Sequence, residues 1–365
     1  VVVSVLLKSN EVEDRFYLNK QQMSWYSKIY IFVREYRKVH PFSGFFLHIA
    51  LNALLLTQLI MIMYTYFIYV CVVNFQLLTN NIQVTAYLVI FHFLCVMLFW
   101  SLGQSIITPT ARVPPVYFAD EATDTKLREI TPCNNGRYLP DSSTAEQTQK
   151  QIKILDEFAE SRGLKFVEVD QCNRLRYCYL CGLIKPDRTH HCMSCGACVV
   201  KFDHHCPWIN KCVSHNNYKF FVLYLLYSCI LIAWCILTSA ECVIRYFLQQ
   251  QWIGGLLNIL LVAFAVILCA IFAYYPLGQL LIYHIRLASL NETTCEQAKP
   301  PNIRGDFKAD YNMGTYRNLR AAFGWGLWLF PVSTHVNDGL HFPIRYTDAA
   351  IGTKFYTMNV KEPEE

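Results

Sequence analysis

Apolar residues fill four stretches of the chain, and polar residues separate them into two pairs. Between positions 41 and 107 there is no Asp, Glu, Lys or Arg. That run is long enough for two helices of about 20 residues, the length that crosses a bilayer. The pattern predicts them at roughly 45–70 and 85–106, with Leu78, Thr79, Asn80 and Asn81 making the turn. A third stretch begins at Tyr218 and runs to about Thr238, and a fourth covers about 256–282. Glu241 and Arg245 fall in the predicted connection between them. The polar middle carries Pro109, Pro114, Pro115, Pro132 and Pro140. Within it, Ile152, Leu155 and Phe158 share one face of a predicted helix over 146–161. The expected order is an N-terminal segment (1–40), spans one and two (41–107), a linker (108–171), a cysteine-rich domain (172–217), spans three and four (218–283) and a C-terminal region (284–365).

Composition agrees with that pattern. The chain is 54% hydrophobic and 16% charged, too apolar for an ordinary soluble protein. Its net charge of +5 suits a face near anionic lipid. The predicted connection at 77–83 carries no Lys or Arg, and the one between spans three and four carries only Arg245. The positive-inside rule therefore puts the N-terminal segment, the middle and the tail in the cytosol. On that topology the sequon Asn291-Glu292-Thr293 is not used. Val1–Leu7 is too short for the apolar core of a cleavable signal peptide, so none is expected.

The chemistry concentrates between residues 178 and 212, which hold seven of the 16 cysteines. One pattern, C-x2-C-x9-H-x6-C, occurs there twice. The first copy is Cys178, Cys181, His191 and Cys198; the second, 14 residues on, is Cys192, Cys195, His205 and Cys212. Three thiolates and one imidazole make a full tetrahedral set for zinc with no open position, so two structural ions are expected. Paired knuckles with His ligands favour zinc in a reducing compartment over a disulfide scaffold. The segment has few apolar runs of its own, so metal must supply much of its folding energy. The repeat assigns ligands copy by copy; a cross-braced pairing of the two knuckles stays open.

One cysteine is surplus. Cys206 stands where Cys192 stands in the first copy, and no third copy exists to use it. His204 is also spare, and Asp203 precedes it. Cys, His and Asp together are the nucleophile, base and orienter of covalent catalysis. The alternative is a packed thiol beside a surface imidazole.

Asp203-His204-His205-Cys206, followed by Pro207-Trp208 and Asn210, resembles the signature of the DHHC protein S-acyltransferases, or palmitoyltransferases. The resemblance is gap-free from 177 to about 221 and extends more weakly across most of the chain. It implies an all-α membrane fold of four transmembrane helices, with a small cytosolic zinc-binding cysteine-rich domain between spans two and three. It also implies an enzyme of the Golgi, endoplasmic reticulum or plasma membrane. Such an enzyme moves palmitoyl or similar chains from acyl-CoA to cysteines of membrane-associated proteins. The acyl group passes through Cys206, with His204 as base and Asp203 orienting it.

Further residues follow from the resemblance. Thr293-Thr294-Cys295-Glu296 matches the family's Thr-Thr-x-Glu, which sits against the active site; the same residues read as a helix capping pattern. Asn318 matches the Asn of the C-terminal motif and is expected to tie the tail to the spans. Lys185, Arg188 and His190 are candidates for the phosphates of acyl-CoA, against a reading as solvated charges. Trp208 and Phe221 are expected to line an acyl groove whose far end lies at Thr65 and Leu231. Two departures stand out: Thr108-Pro109-Thr110 replaces the family's Asp-Pro-Gly, and His215-Asn216 replaces a small residue and Ser. Two other readings compete. A non-enzymatic membrane adaptor would not need an intact Asp203-His204-Cys206 set. A nucleic-acid-binding finger would need a basic recognition helix after a knuckle, and there is none, so no nucleic acid is expected.

Overall fold

The computed structural model describes residues 52–78, 80–249, 255–305, 309–346 and 355–356. The basic lead-in at 1–40 and the predicted start of the first span lie outside the described residues. Among the described residues, four helices are long and apolar enough to cross a membrane, covering Ala53–Asn74, Asn81–Ile107, Tyr218–Glu241 and Leu260–Leu290. The protein is a four-span membrane protein, with its Cys/His-rich layer between the second and third spans.

Helix α1 (Ala53–Phe67) widens into a π-helical stretch, Ile68–Leu77. Helix α2 (Asn81–Ile107) starts four residues before the predicted span, at the last of the predicted turn residues, because the Asn80 side chain caps it by accepting hydrogen bonds from the amides of Ile82 and Gln83. It is apolar on all sides: Leu94, Met97 and Leu98 are buried, whereas Phe93 and Val96 face outward, toward lipid. The inner face packs on the third span around Phe91, Leu223, Tyr227 and Leu231.

Both later spans run longer than the hydropathy pattern predicts. Helix α5 (Tyr218–Gln249) passes straight through Glu241. Gln83 (2.7 Å) and Tyr87 (2.6 Å) of α2 donate to the Glu241 carboxylate, so the charge is satisfied inside the bundle and the helix has no cause to stop. The fourth span is α6 (Gly255–Phe272), a π-helical turn at Ala273–Gly278, then α7 (Gln279–Leu290). Pro276 lies in that turn, where a wider ring tolerates its missing N–H. Asn291 ends α7 at φ 54°, a left-handed cap. The residues from 284 to 290, expected in the tail, are thus helix.

The Cys/His layer consists of three short hairpins. Strand β2 (Tyr177–Cys178) pairs with β3 (Leu183–Ile184), β4 (His190–Cys192) with β5 (Ala197–Val199), and β6 (His204–Cys206) with β7 (Lys211–Val213). The 14-residue repeat becomes a repeated register: His191 faces Cys198, and His205 faces Cys212. Each knuckle turns on a glycine of positive φ, Gly182 at 65° and Gly196 at 63°, whose amide returns to the carbonyl of the first Cys.

The linker packs onto this layer. Helices α3 (Glu121–Ile130) and α4 (Ala145–Ser161) bury Leu127, Leu155 and Phe158 against Ile184 of β3. Strand β1 (Glu168–Val169) pairs with β8 (Asn302–Ile303) from the tail. Beyond it, α9 (Thr315–Phe323) carries Asn318, fully buried, which donates to the Ser289 carbonyl of α7 (2.8 Å) and accepts from the Met313 amide (2.9 Å). The loop after α9 exposes Trp325, Leu327, Leu329 and Phe330. It lies along α5, where Tyr227 donates to the Leu329 carbonyl (2.6 Å).

Candidate active site

Strand β6 decides which side chain goes where. Alternate residues of a strand face opposite ways. His205 turns into a metal-type cluster, while His204 and Cys206 turn the other way, toward the spans. Ligand atoms of Cys178, Cys181, His191 and Cys198 all lie within 4.8 Å of one another, as do those of Cys192, Cys195, His205 and Cys212. His191 Nδ1 stands 3.5, 3.2 and 3.9 Å from the sulfurs of Cys178, Cys181 and Cys198. In the second group His205 Nδ1 stands 3.7, 3.4 and 3.6 Å from those of Cys192, Cys195 and Cys212. The grouping is copy by copy, not cross-braced, and each donor set has the composition of a closed zinc site.

Cys206 belongs to neither group. It is 5% exposed and packs with Ile209, Phe221 and Leu225 beneath the hairpin. His204 Nδ1 hydrogen-bonds Asp203 Oδ2 at 2.6 Å. Asp203 is buried and held in turn: its Oδ1 accepts from the Thr294 amide (3.1 Å), and the Thr294 hydroxyl donates to its carbonyl. Thr294 opens α8 (Thr294–Ala298), whose capping box joins Thr293 and Glu296. The cap and the site contact, weighed as separate readings in the sequence, are one device. Burial alone would lower the pKa of His204. Hydrogen bonds to Asp203 and Cys206 outweigh it and lift the pKa to about 9, so the imidazole is cationic at neutral pH.

An apolar cavity opens from Cys206 between the spans. Trp208, Phe221, Thr65 and Leu231 all line it, together with Cys206. Phe221 and Leu231 are ten residues apart on α5, about 15 Å along the helix.

The expected phosphate donors separate. Arg188 is wholly buried, with φ 59°. It makes two 2.7 Å contacts to the Glu296 carboxylate and two more to Asn291, and its guanidinium stacks over Tyr311 and Phe342. The expectation of a phosphate-facing arginine is therefore corrected: four donor bonds are already used inside, and Arg188 fastens α8 to the metal layer. Burial drives the pKa of His190 down to about 3, leaving a neutral ring beside Phe202. Lys185 alone of the three is a partly exposed cation.

One residue escaped the sequence reading. His284 of α7 is fully buried and its ring lies 5.6 Å from that of His204 and 5.2 Å from that of Phe221. A histidine two residues past the predicted end of an apolar stretch, between Tyr283 and Ile285, was the available signal.

Residues 171–301 match the family described as DHHC palmitoyltransferase. Over 341 residues the chain is 48% identical to palmitoyltransferase spe-10 of Caenorhabditis elegans, covering 93% of this chain and 97% of that protein. The chain belongs to the DHHC palmitoyltransferase family. It is also 34% identical over 295 residues to palmitoyltransferase ZDHHC15 of Xenopus laevis (78% of this chain, 80% of that one). To human palmitoyltransferase ZDHHC20 it is 33% identical over 288 residues, covering 77% and 73%. As a family member the protein is a protein S-acyltransferase, and Asp203, His204, His205 and Cys206 spell the family's signature.

Proposed function

We propose that the protein moves palmitoyl or a similar long chain from acyl-CoA to protein cysteines through a thioester on Cys206. One observation carries this: the only cysteine of the repeat region outside both metal-type groups opens onto an apolar cavity beside an Asp–His pair. In the first step the Cys206 thiolate attacks the thioester carbonyl carbon. The carbon–sulfur bond to CoA breaks, and the departing CoA sulfur takes the proton of the His204 imidazolium. In the second, His204 takes the proton of a substrate thiol, whose sulfur attacks the acyl carbon on Cys206 and restores the Cys206 thiolate. Asp203 fixes the tautomer of His204 and stabilises its charged form.

Zinc ions in the two Cys3His groups would act as scaffold, holding β4 to β7 so that Cys206 stays at the cavity mouth. The unit at 172–217 takes that scaffold role. The scarcity of basic residues in the predicted connections, Arg245 alone, supports a cytosolic metal layer and tail, in Golgi, endoplasmic reticulum or plasma membrane. There the bilayer would hold the acyl chain and concentrate membrane-associated substrates. Lys185 is left as the candidate for a CoA phosphate. The direct test is intact mass after incubation with palmitoyl-CoA. A gain of one palmitoyl group, removed by hydroxylamine, is expected; no mass change in zinc-loaded, folded protein would reject the reading.

The charge state of His204 gives a pH prediction. A raised pKa means the stabilisation from its Asp203 contact is complete below about 6.5 and fades as pH rises through about 9. Self-acylation should hold level from neutrality and fall above about 9 as the imidazolium is lost. Asp203→Asn should move that fall to lower pH, and an unmoved limb would break the link to His204.

Chain length should be read in the cavity between Phe221 and Leu231. Leu231→Phe or Thr65→Phe shortens it, and each methylene denied apolar volume costs about 0.8 kcal/mol. Stearoyl transfer should therefore drop more than myristoyl transfer when the two CoA esters compete. An unchanged product ratio in an active variant would mean the tail ends elsewhere.

A further inference from the structure

We propose that Asp203, His204 and His284 form a third metal site, one that takes a zinc-class cation reversibly and inhibits acyl transfer. One ligand atom from each of the three lies within 4.8 Å of the others. A zinc ion with donors at about 2.0–2.1 Å sets them about 3.3 Å apart, so small side-chain rotations close the set. Two imidazoles and one carboxylate are the donors of zinc sites that keep an open position, and imidazole selects zinc over magnesium.

His284 supplies the independent observation. It is 0% exposed, and its Nε2 has no hydrogen-bond partner among the described residues. Its Nδ1 meets the Tyr218 hydroxyl at 3.3 Å, and that hydroxyl also donates to the His284 carbonyl at 3.1 Å. Metal-binding histidines are held in this way, one nitrogen fixed by a neighbour and the other presented. Buried polar atoms are rarely left unpaired, and a cation would pair this one. The carboxylate is steadied too, by the Thr294 amide on Asp203 Oδ1. The two Cys3His groups are closed, whereas this one has three protein donors, so its cation should exchange while theirs stay.

Inhibition follows from either mode of ligation, and rests on the reading of His204 as the base. Metal on Nδ1 breaks the Asp203 bond; metal on Nε2 blocks proton exchange with sulfur. The test uses the whole chain, purified with both Cys3His groups loaded, dialysed against buffered Zn2+ and assayed for bound metal and self-acylation. Wild type should take up a third equivalent and lose self-acylation in step, with Mg2+ doing neither. His284→Phe and His284→Gln should keep two equivalents, fail to bind the third, and need at least about tenfold more Zn2+ for half-inhibition. Saturation of wild type at two equivalents would overturn the proposal. So would a third equivalent that persists in both variants. Metal counting needs no turnover, so it stands apart from the catalytic assignment. A third equivalent lost in the variants but without effect on acylation would overturn the inhibition and the role of His204 as base together.

Discussion

Cys206→Ser abolishes self-acylation and transfer, by about 10,000-fold or more, while both metal equivalents stay bound. The size is that of losing a catalytic nucleophile, since a hydroxyl is a far weaker nucleophile than a thiolate. The retention of metal follows from geometry, because neither Cys3His group includes Cys206. Two measurements on one sample decide it: intact mass after palmitoyl-CoA, and metal content. Loss of one zinc from the variant would make Cys206 a ligand and remove it from the chemistry. Acylation persisting on the variant would move the nucleophile elsewhere.

Cys192→Ala behaves in the opposite way. It should lose about one zinc equivalent and unfold at much milder temperature or denaturant, with activity falling as a consequence. Cys192 is buried with Val199 and Cys212, a small cluster against which only Cys195 and Phe202 pack among the described residues. Metal binding is therefore folding energy there, on the order of 10 kcal/mol in zinc-finger peptides. His205→Ala should match it, since its ring nitrogen faces all three sulfurs of that group. A folded variant that still carried two zincs would sink the ligand grouping.

What the sequence made legible was whatever depends on spacing. The two Cys3His patterns, the surplus Cys206 and the apolar runs are all periodic or local, and the structure brings these Cys and His side chains together in the groups that the repeat orders. What it hid depends on partners far along the chain. Glu241 looked like the end of a span because Gln83 and Tyr87, which neutralise its cost, lie more than 150 residues away. Arg188 looked like a surface donor because Glu296, 108 residues on, was not visible as its partner. His284 sat just beyond the predicted end of an apolar stretch, and only the fold brings it to His204.

The repeated hairpin also fixes what a change of length would do. Strands β4 and β6 carry the same tripeptide, His-His-Cys, and Cys192 and Cys206 occupy the same rung of their hairpins. In the first hairpin that rung hands its sulfur forward to the next unit; in the second there is no next unit. Splicing one more 14-residue unit in after Val213 would supply a later His and Cys, but Cys206 would join a full set only if Ile209 were also replaced by Cys. Cutting out residues 192–205 would keep one complete ligand set, Cys178, Cys181, His191 and Cys212, and leave Cys206 after His191. That shortened chain would carry Thr189 where Asp203 had stood, and so a reactive sulfur without its acid. Cys206 is the loose end of a two-unit tandem, and removing one whole unit takes away one Cys3His set while leaving the other complete.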